Sequence, residues 1–185
     1  LTYFFFLLAF SGMEFSLTFL AHDRLGYTTR QNAYMFLFIG IVLAGIQGGY
    51  VRRQSGKVGP RRMALNGLTM IVPALFLVGL AGYWQSTVVL YAGLFLLAAG
   101  SAQAIPCLTA LVSVYTPEEE QGRVLGIFRS LGALARAIGP LFAAVLYWWI
   151  GPTIAYFIGG LFIIIPLIMA FRLPRLGATE ADESA

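Results

Sequence analysis

The sequence predicts an all-α transmembrane fold, a single bundle of six membrane-spanning helices. Hydrophobic residues make up 59% of the 185 residues and charged residues only 11%, whereas soluble domains are nearer to half apolar and a quarter charged. The mean hydropathy is +0.81. Six apolar stretches reach the length of about 20 residues that a helix needs to cross a bilayer. The predicted spans are 2–21, 32–51, 63–82, 87–115, 121–148 and 153–171.

The connections between these spans are short, so residues 1–171 are predicted to form one bundle. The fourth and fifth stretches are longer than one crossing requires, which predicts tilt or helix ends that protrude into the headgroups. Asn32 and Asn66 lie near predicted helix starts and are interpreted as caps. Residues 172–185 are mostly small, polar and acidic after the last span, and are predicted to be a disordered cytoplasmic tail.

Lysine and arginine are distributed unequally between the two sides of the predicted bundle. Eight lie on one side, in the second loop, at the end of the fourth loop and in the tail, while Arg24 and Arg30 are alone on the other. The positive-inside rule therefore places loops 52–62 and 116–120 and the C-terminus in the cytoplasm. Aromatic residues that fit the belt of the opposite interface are Tyr83, Trp84, Tyr147, Trp148 and Trp149. We expect a multi-pass integral protein of the plasma membrane or an endomembrane.

Composition also excludes several classes of protein. The single cysteine, Cys107, cannot form an intrachain disulfide, and one cysteine with one histidine cannot supply the usual zinc or iron–sulfur ligands. The scattered net charge of +4 is too small to indicate nucleic-acid binding. No metalloprotease or serine-hydrolase motif is present. We therefore expect no enzyme activity, no metal and no cofactor.

Three ionisable residues fall inside predicted spans: Glu14, Arg129 and Arg136. A charge at mid-bilayer costs roughly 2.5–3.5 kcal/mol on insertion scales, so each needs a partner or a water-filled cavity. Glu14 lies roughly 16 Å beyond Tyr3 along its helix, and the two arginines lie roughly 9 and 20 Å beyond Arg123 along theirs. These estimates place Glu14 at a depth between the two arginines.

Arg129 and Arg136 are two turns apart and share one helix face. That face is small and charged, the opposite one is bulky and apolar, and together they predict a cavity-lining helix backed by lipid. The small and charged face comprises Gly122, Gly126, Arg129, Ala133, Arg136 and Pro140, and the apolar one Leu125, Phe128, Leu131, Leu134, Ile138 and Leu141. Arg129 is also shallow enough to reach the headgroups, so both interpretations stay open for it. The depth of Arg136 favours a cavity or an ion pair.

Glu14 has two interpretations, which the sequence leaves open. It is either a structural counter-ion for an arginine or a carboxylate that binds and releases a proton during transport. Gln47 and Gln103 add polar candidates within the second and fourth spans, and Pro106 is predicted to kink the fourth. The small residues Gly40, Ala44 and Gly48, at four-residue spacing, predict close helix packing.

Two segments resemble the major facilitator superfamily. Residues 49–62, GYVRRQSGKVGPRR, resemble the glycine- and arginine-rich cytoplasmic loop that these transporters carry between the second and third helices of each half. Residues 122–140, GRVLGIFRSLGALARAIGP, resemble the penultimate helix of the drug–proton antiporter branch. Residues 129–140 and the run SGMEF at 11–15 are most similar to the animal tetracycline-transporter-like proteins of that branch. The resemblance covers essentially the whole chain.

The resemblance implies the C-terminal six-helix half of such a transporter, because Arg53 stands where the loop of the first half usually has an aspartate. The chain opens inside an apolar run without the basic region of a signal peptide, and we expect it to be the C-terminal part of a longer protein. A partner N-terminal half is then implied, with substrate bound near the midplane between halves and alternating access by rocking.

The resemblance carries site residues with it. Glu14, Arg129 and Arg136 match positions in the pattern of the branch, and we add Gln47 and Gln103 as candidates for substrate binding or proton coupling. The gating or packing set comprises Gly49, Arg52, Arg53, Gly59, Arg61, Pro106, Gly139 and Pro140.

The leading interpretation is a secondary transporter that exports drug-like or organic anionic small molecules in exchange for protons, because an arginine in a cavity favours anions. A uniporter, or a non-transporting scaffold or receptor with the same fold, remains an alternative. The expected partners are the lipid bilayer, a small-molecule substrate, protons and the missing half, with no nucleic acid.

Overall fold

The computed structural model describes residues 1–173, with the side chain of residue 55 excepted. Most of the predicted tail, including Arg175, lies outside the described residues. The described part is helical and contains six helices long and apolar enough to cross a membrane, which confirms the predicted fold class. Its α-helices are α1 (Thr2–Leu25), α2 (Thr29–Gly45), α3 (Arg52–Val58), α4 (Pro60–Trp84), α5 (Thr87–Val114), α6 (Gln121–Ile150) and α7 (Pro152–Phe171).

The first connection is shorter than predicted. The α1 helix continues to Leu25 and ends at Gly26, whose φ of 69° is the left-handed conformation that glycine adopts without strain. Thr28 then caps α2 in a reciprocal capping box with Gln31. The assignment of Asn32 as a cap is therefore wrong, because Thr28, four residues earlier, already accepts the hydrogen bond of the capping position.

The second connection is mostly helical. A π-helical segment, Ile46–Val51, joins α2 directly to α3, and the chain turns only at Gly59, with φ of 79°, before Pro60 starts α4. Arginine and lysine favour helix, so the charges that indicated a loop do not interrupt the backbone. Asn66 lies in the second turn of α4, and its assignment as a cap is also wrong.

Close helix packing occurs at glycine pairs that the sequence pattern did not single out. The stripe on α2 is open, since a Cβ added at Gly40 or Gly48 would meet no atom within 4 Å. At the α4–α5 crossing, by contrast, a Cβ on Gly67 would lie 2.5 Å from the carbonyl oxygen of Gly100. The packing predicted for α2 is therefore absent from the described part of the chain, in which α5 is its main partner.

The three ionisable candidates, Glu14, Arg129 and Arg136, lie on α1 and α6, which pack side by side and run parallel. Tyr3 stacks on Phe128 with ring centroids 4.1 Å apart, and at the other end the Tyr147 hydroxyl donates to Asp23 Oδ2 at 2.9 Å. Both helices thus enter the membrane from the same side, as their predicted topology requires.

Candidate functional site

The centre of the α1–α6 contact brings two backbones together. A Cβ on Gly139 would lie 2.6 Å from the carbonyl oxygen of Leu8, so a larger residue would force the helices apart. On one flank of this contact, Ser11 Oγ donates to the carbonyl oxygen of Arg136 at 3.4 Å. The close approach thereby places the polar side of α1 next to the charged face of α6.

A groove of about 460 Å³ opens along this polar side. We call it the Glu14 groove. Helix α1 forms most of its wall, α6 contributes Pro140, and α2 closes the other side with Phe36. Its lining residues are Ser11, Glu14, Phe15, Thr18, Phe19, Phe36 and Pro140.

Glu14 lines this groove, and Arg136, which is not one of its lining residues, attracts the Glu14 carboxylate electrostatically. Neither a hydrogen bond nor an ion pair joins the two side chains within the described part of the chain, and both are exposed. A carboxylate and a guanidinium that attract one another without direct contact leave both groups open to a third partner. The arrangement can therefore accept a small charged solute or a proton without first breaking a closed salt bridge.

The predicted depth of Glu14 needs correction. Because Tyr3 lies level with Phe128, the first two turns of α6 extend beyond the start of α1. Ser11 is level with the Arg136 carbonyl, so Glu14 lies about one turn farther along the bundle than Arg136. The prediction that Glu14 falls between Arg129 and Arg136 was wrong because it assumed that the two helices start at the same level.

Arg129 is exposed and does not line the Glu14 groove. Its face of α6 is open, since nothing lies within 4 Å of a Cβ added at Gly122 or Gly126. The prediction divided α6 into two faces and missed a third, the buried small-residue face that packs on α1. Phe128, predicted to face lipid, stacks on Tyr3 instead. The buried face comprises Gly132, Ala135, Gly139, Ala143 and Tyr147.

The two glutamines lie elsewhere. Gln103 is buried, and its Nε2 donates to the carbonyl oxygen of Ala99 at 3.1 Å and to Met70 Sδ at 3.4 Å. Gln47 is exposed within the π-helical segment, and its side chain makes no hydrogen bond among the described residues. The structure therefore does not bring either glutamine to the Glu14 groove.

The candidates for gating or packing in the second connection have different surroundings. Gly49 is open, and Arg52 and Arg53 are exposed on the helix that follows it. Gly59 adopts the positive φ of the turn. Arg61 reaches across to α7, where its Nη2 donates to the carbonyl oxygen of Phe171 at 2.7 Å. A cation at a helix C-terminus is stabilised by the helix dipole, so Arg61 joins α4 to the end of α7.

The remaining candidates for gating or packing are Pro106, Gly139 and Pro140. Pro106, which was predicted to kink its span, lies inside α5, and the helix continues through it to Val114 as one α-helical element. Gly139 packs on α1, and Pro140 lines the Glu14 groove.

Sequence reasoning missed Ser11 and Phe36 as partners of Glu14. Ser11 had a signal, because it precedes Glu14 by three residues and shares its helix face. Phe36 had no signal in the sequence, since its position depends on the tilt of α2 relative to α1. A second missed feature is buried between α1 and α7, where the Tyr156 hydroxyl donates to the carbonyl oxygen of Met13 at 2.8 Å and lies 3.2 Å from Ser16 Oγ.

Comparison with known proteins places this geometry in context. Residues 1–184 match the Major Facilitator Superfamily. The chain is 38% identical over 184 residues to mouse major facilitator superfamily domain-containing protein 10, and this match covers 99% of the chain and 39% of that relative. It is 29% identical over 176 residues to the class B tetracycline resistance protein of Escherichia coli, of which 41% is covered.

A solved structure is also similar. The crystal structure of the human organic anion transporter MFSD10 matches with a TM-score of 0.85 and 38% identity, over 91% of this chain and 39% of that one. The chain thus spans about two fifths of the length of these relatives.

Proposed function

Because the chain belongs to the major facilitator superfamily, we propose that it acts as the C-terminal half of a secondary transporter for organic anions. The family is one of membrane transporters, and its members embed in the lipid bilayer and move small molecules. The observation that carries the proposal is that Glu14 lines a groove and is attracted by the charge of Arg136 without a closed ion pair.

The choice of organic anions rests on two supports. A guanidinium binds carboxylate and phosphate groups by paired, charge-assisted hydrogen bonds, and Arg136 presents one beside the Glu14 groove. In addition, the human relative with 38% identity is described as an organic anion transporter. Aromatic residues of the groove, Phe15, Phe19 and Phe36, suit the apolar part of such a solute.

Coupling to protons follows from the opposite charges. When an anion occupies Arg136, Glu14 loses its favourable electrostatic partner and gains a negative neighbour, so protonation of Glu14 becomes more favourable. When the anion leaves, Arg136 again stabilises the ionised carboxylate and the proton is released. Anion binding and proton binding therefore favour each other, and a positive linkage of this kind carries the anion and the proton together in the same direction rather than in exchange.

We further propose the topology that the charge asymmetry predicts. Residues 52–62 and 116–120 and the C-terminus face the cytoplasm, and a second six-helix unit faces α1, α2 and α6 to complete the translocation path.

The test is uptake of a fluorescent organic anion into proteoliposomes that contain the intact protein, with and without an imposed pH gradient. We expect Glu14→Gln to abolish the stimulation of anion uptake by the pH gradient, while movement of the anion down its own concentration gradient stays measurable. We expect Arg136→Gln to lower the affinity for the anion. Arg123→Gln, at the start of α6 and away from the groove, is the matched control and should behave as the unmodified protein.

Each alternative has its own outcome. If Glu14→Gln keeps the full gradient dependence, Glu14 is not the coupling group and a uniporter is favoured. If the unmodified protein moves no anion, and Arg136→Glu changes no cellular phenotype although the protein reaches its membrane, the scaffold or receptor interpretation is favoured.

A further inference from the structure

We propose that a cleft between α2 and α4, which shares no lining residue with the Glu14 groove, binds an anionic phospholipid. Its acyl chain occupies the cleft, and basic residues at the mouth of the cleft bind its phosphate. The proposal concerns a lipid-binding site and is independent of which solute the protein transports.

The cleft has a volume of about 700 Å³ and is predominantly apolar. Helix α2 and its π-helical continuation form one wall with Ile46 and Tyr50, α4 forms the other, and α5 forms the floor with Ala99 and Gln103. The α4 wall presents Asn66, Thr69 and Pro73, whose spacing places them on one face of the helix.

The depth of the cleft matches one leaflet. Measured along α4 from Pro60, Asn66 lies roughly 9 Å and Pro73 roughly 20 Å into the bundle. The hydrocarbon half-thickness is about 15 Å, so the cleft extends from just below the headgroups to near the midplane. Acyl chains of membrane lipids are always present at this depth, and they match the cleft in polarity and length.

The mouth of the cleft is basic. Arg62 is exposed and lies one turn before Asn66 on the same face of α4. Arg52 and Arg53 are exposed and follow Tyr50 on the opposite wall. No described acidic side chain pairs with these three arginines, and residues 52–62 contain five basic and no acidic residues. Unpaired arginines at a membrane surface attract anionic lipid headgroups, which concentrate in the cytoplasmic leaflet.

The two features together favour a phospholipid over other anions. A soluble anion could pair with the arginines but would leave the apolar cleft unfilled. The acidic turn Glu118–Glu120 could neutralise charge, yet it cannot enter hydrocarbon. A phospholipid satisfies the guanidinium groups and the cleft at once.

The experiment measures lipid selectivity by electron paramagnetic resonance, with spin-labelled phosphatidylserine and phosphatidylcholine in membranes that contain the intact protein. We expect a higher motionally restricted fraction for phosphatidylserine. Arg53→Gln and Arg62→Gln should each lower this preference by about fivefold at the site. Thr69→Trp, which fills the cleft and leaves every charge in place, should lower the restricted fraction of phosphatidylserine as well.

Two control variants distinguish lipid binding at a specific site from general attraction by surface charge. Arg123→Gln removes a charge from the same membrane side but away from the cleft, and Arg30→Gln removes one from the opposite side; neither should change the preference. An equal effect of Arg123→Gln would overturn the proposal in favour of diffuse attraction. The absence of any preference in the unmodified protein would also overturn it. So would a preference that appears only after Glu118–Glu120 are replaced by glutamine, since that acidic turn would then be the partner of the arginines at the mouth of the cleft.

Discussion

Gly12 of α1 and Gly139 of α6 lie with their backbones in direct contact, and a Cβ on Gly12 would be 2.7 Å from the carbonyl oxygen of Gly139. In lipid there is little hydrophobic drive to associate helices, so close backbone approach supplies much of the attraction. This contact sets the distance between α1 and α6, and with it the distance from Glu14 to Arg136.

Replacing Gly139 by alanine should destabilise the protein. The added methyl group would meet the backbone of α1, which cannot move aside as a side chain could, and we expect a loss of about 1–3 kcal/mol in unfolding free energy. The measurement is thermal unfolding of the purified protein in detergent. The control is Gly126→Ala on the same helix, where nothing lies within 4 Å of the new Cβ and alanine favours helix. Equal stability of the two variants would contradict the packing described for Gly139.

The coupling between Glu14 and Arg136 should appear as non-additivity. In a double-mutant cycle of Glu14→Gln and Arg136→Gln, we expect the effects on the affinity for an organic anion to deviate from additivity by about 0.5 kcal/mol or more. The matched cycle pairs Glu14→Gln with Arg129→Gln. It should be additive within about 0.5 kcal/mol, because Arg136 and not Arg129 is the charge that acts on Glu14. Stronger coupling of Glu14 to Arg129 than to Arg136 would show that Arg129 is the counter-charge and would contradict the assignment of Arg136.

Removing the guanidinium of Arg61 should loosen the end of α7. The 2.7 Å hydrogen bond from Arg61 Nη2 occupies the Phe171 carbonyl, which has no partner within the helix. We expect Arg61→Gln to increase hydrogen exchange severalfold at the amides of residues 170–172, with little change in the first turns of α7. Arg62→Gln is the control for this measurement, because Arg62 is exposed and none of the described hydrogen bonds joins its side chain to α7. Identical exchange in both variants would show that Arg61 does not hold the helix end.

The hydrogen bond between Tyr147 and Asp23 should contribute to stability at the other end of the bundle. Tyr147 is only 4% exposed, and its hydroxyl donates to the carboxylate at 2.9 Å. Asp23 is exposed to solvent and can be hydrated when the bond is lost, so we expect Tyr147→Phe to cost about 0.5–1.5 kcal/mol. Tyr83→Phe makes the same chemical change at a residue that is 72% exposed and should leave the unfolding temperature unchanged. A similar shift for both would contradict the role of the bond.

The spans and the three intramembrane charges could be predicted from the sequence. Insertion into lipid depends on a sum of transfer free energies over about 20 neighbouring residues, and that sum is local. Glu14, Arg129 and Arg136 stand out for the same reason, because a charge in an apolar run is costly whatever surrounds the helix. The helical second connection could also have been inferred, since Gly59 and Pro60 carry the turn and the arginines do not.

What the sequence by itself determined is therefore which residues enter the membrane and which of them carry charge. The tertiary structure alone decided that Arg136 rather than Arg129 acts on Glu14 and that Phe36 closes the Glu14 groove. It also decided that glycine pairs on α1–α6 and α4–α5, not the stripe on α2, bring helices together. The physical reason is that pairing depends on the offset and rotation of one helix relative to another. Both are set by contacts between residues far apart in the chain, so the transfer free energies of one local segment cannot predict them.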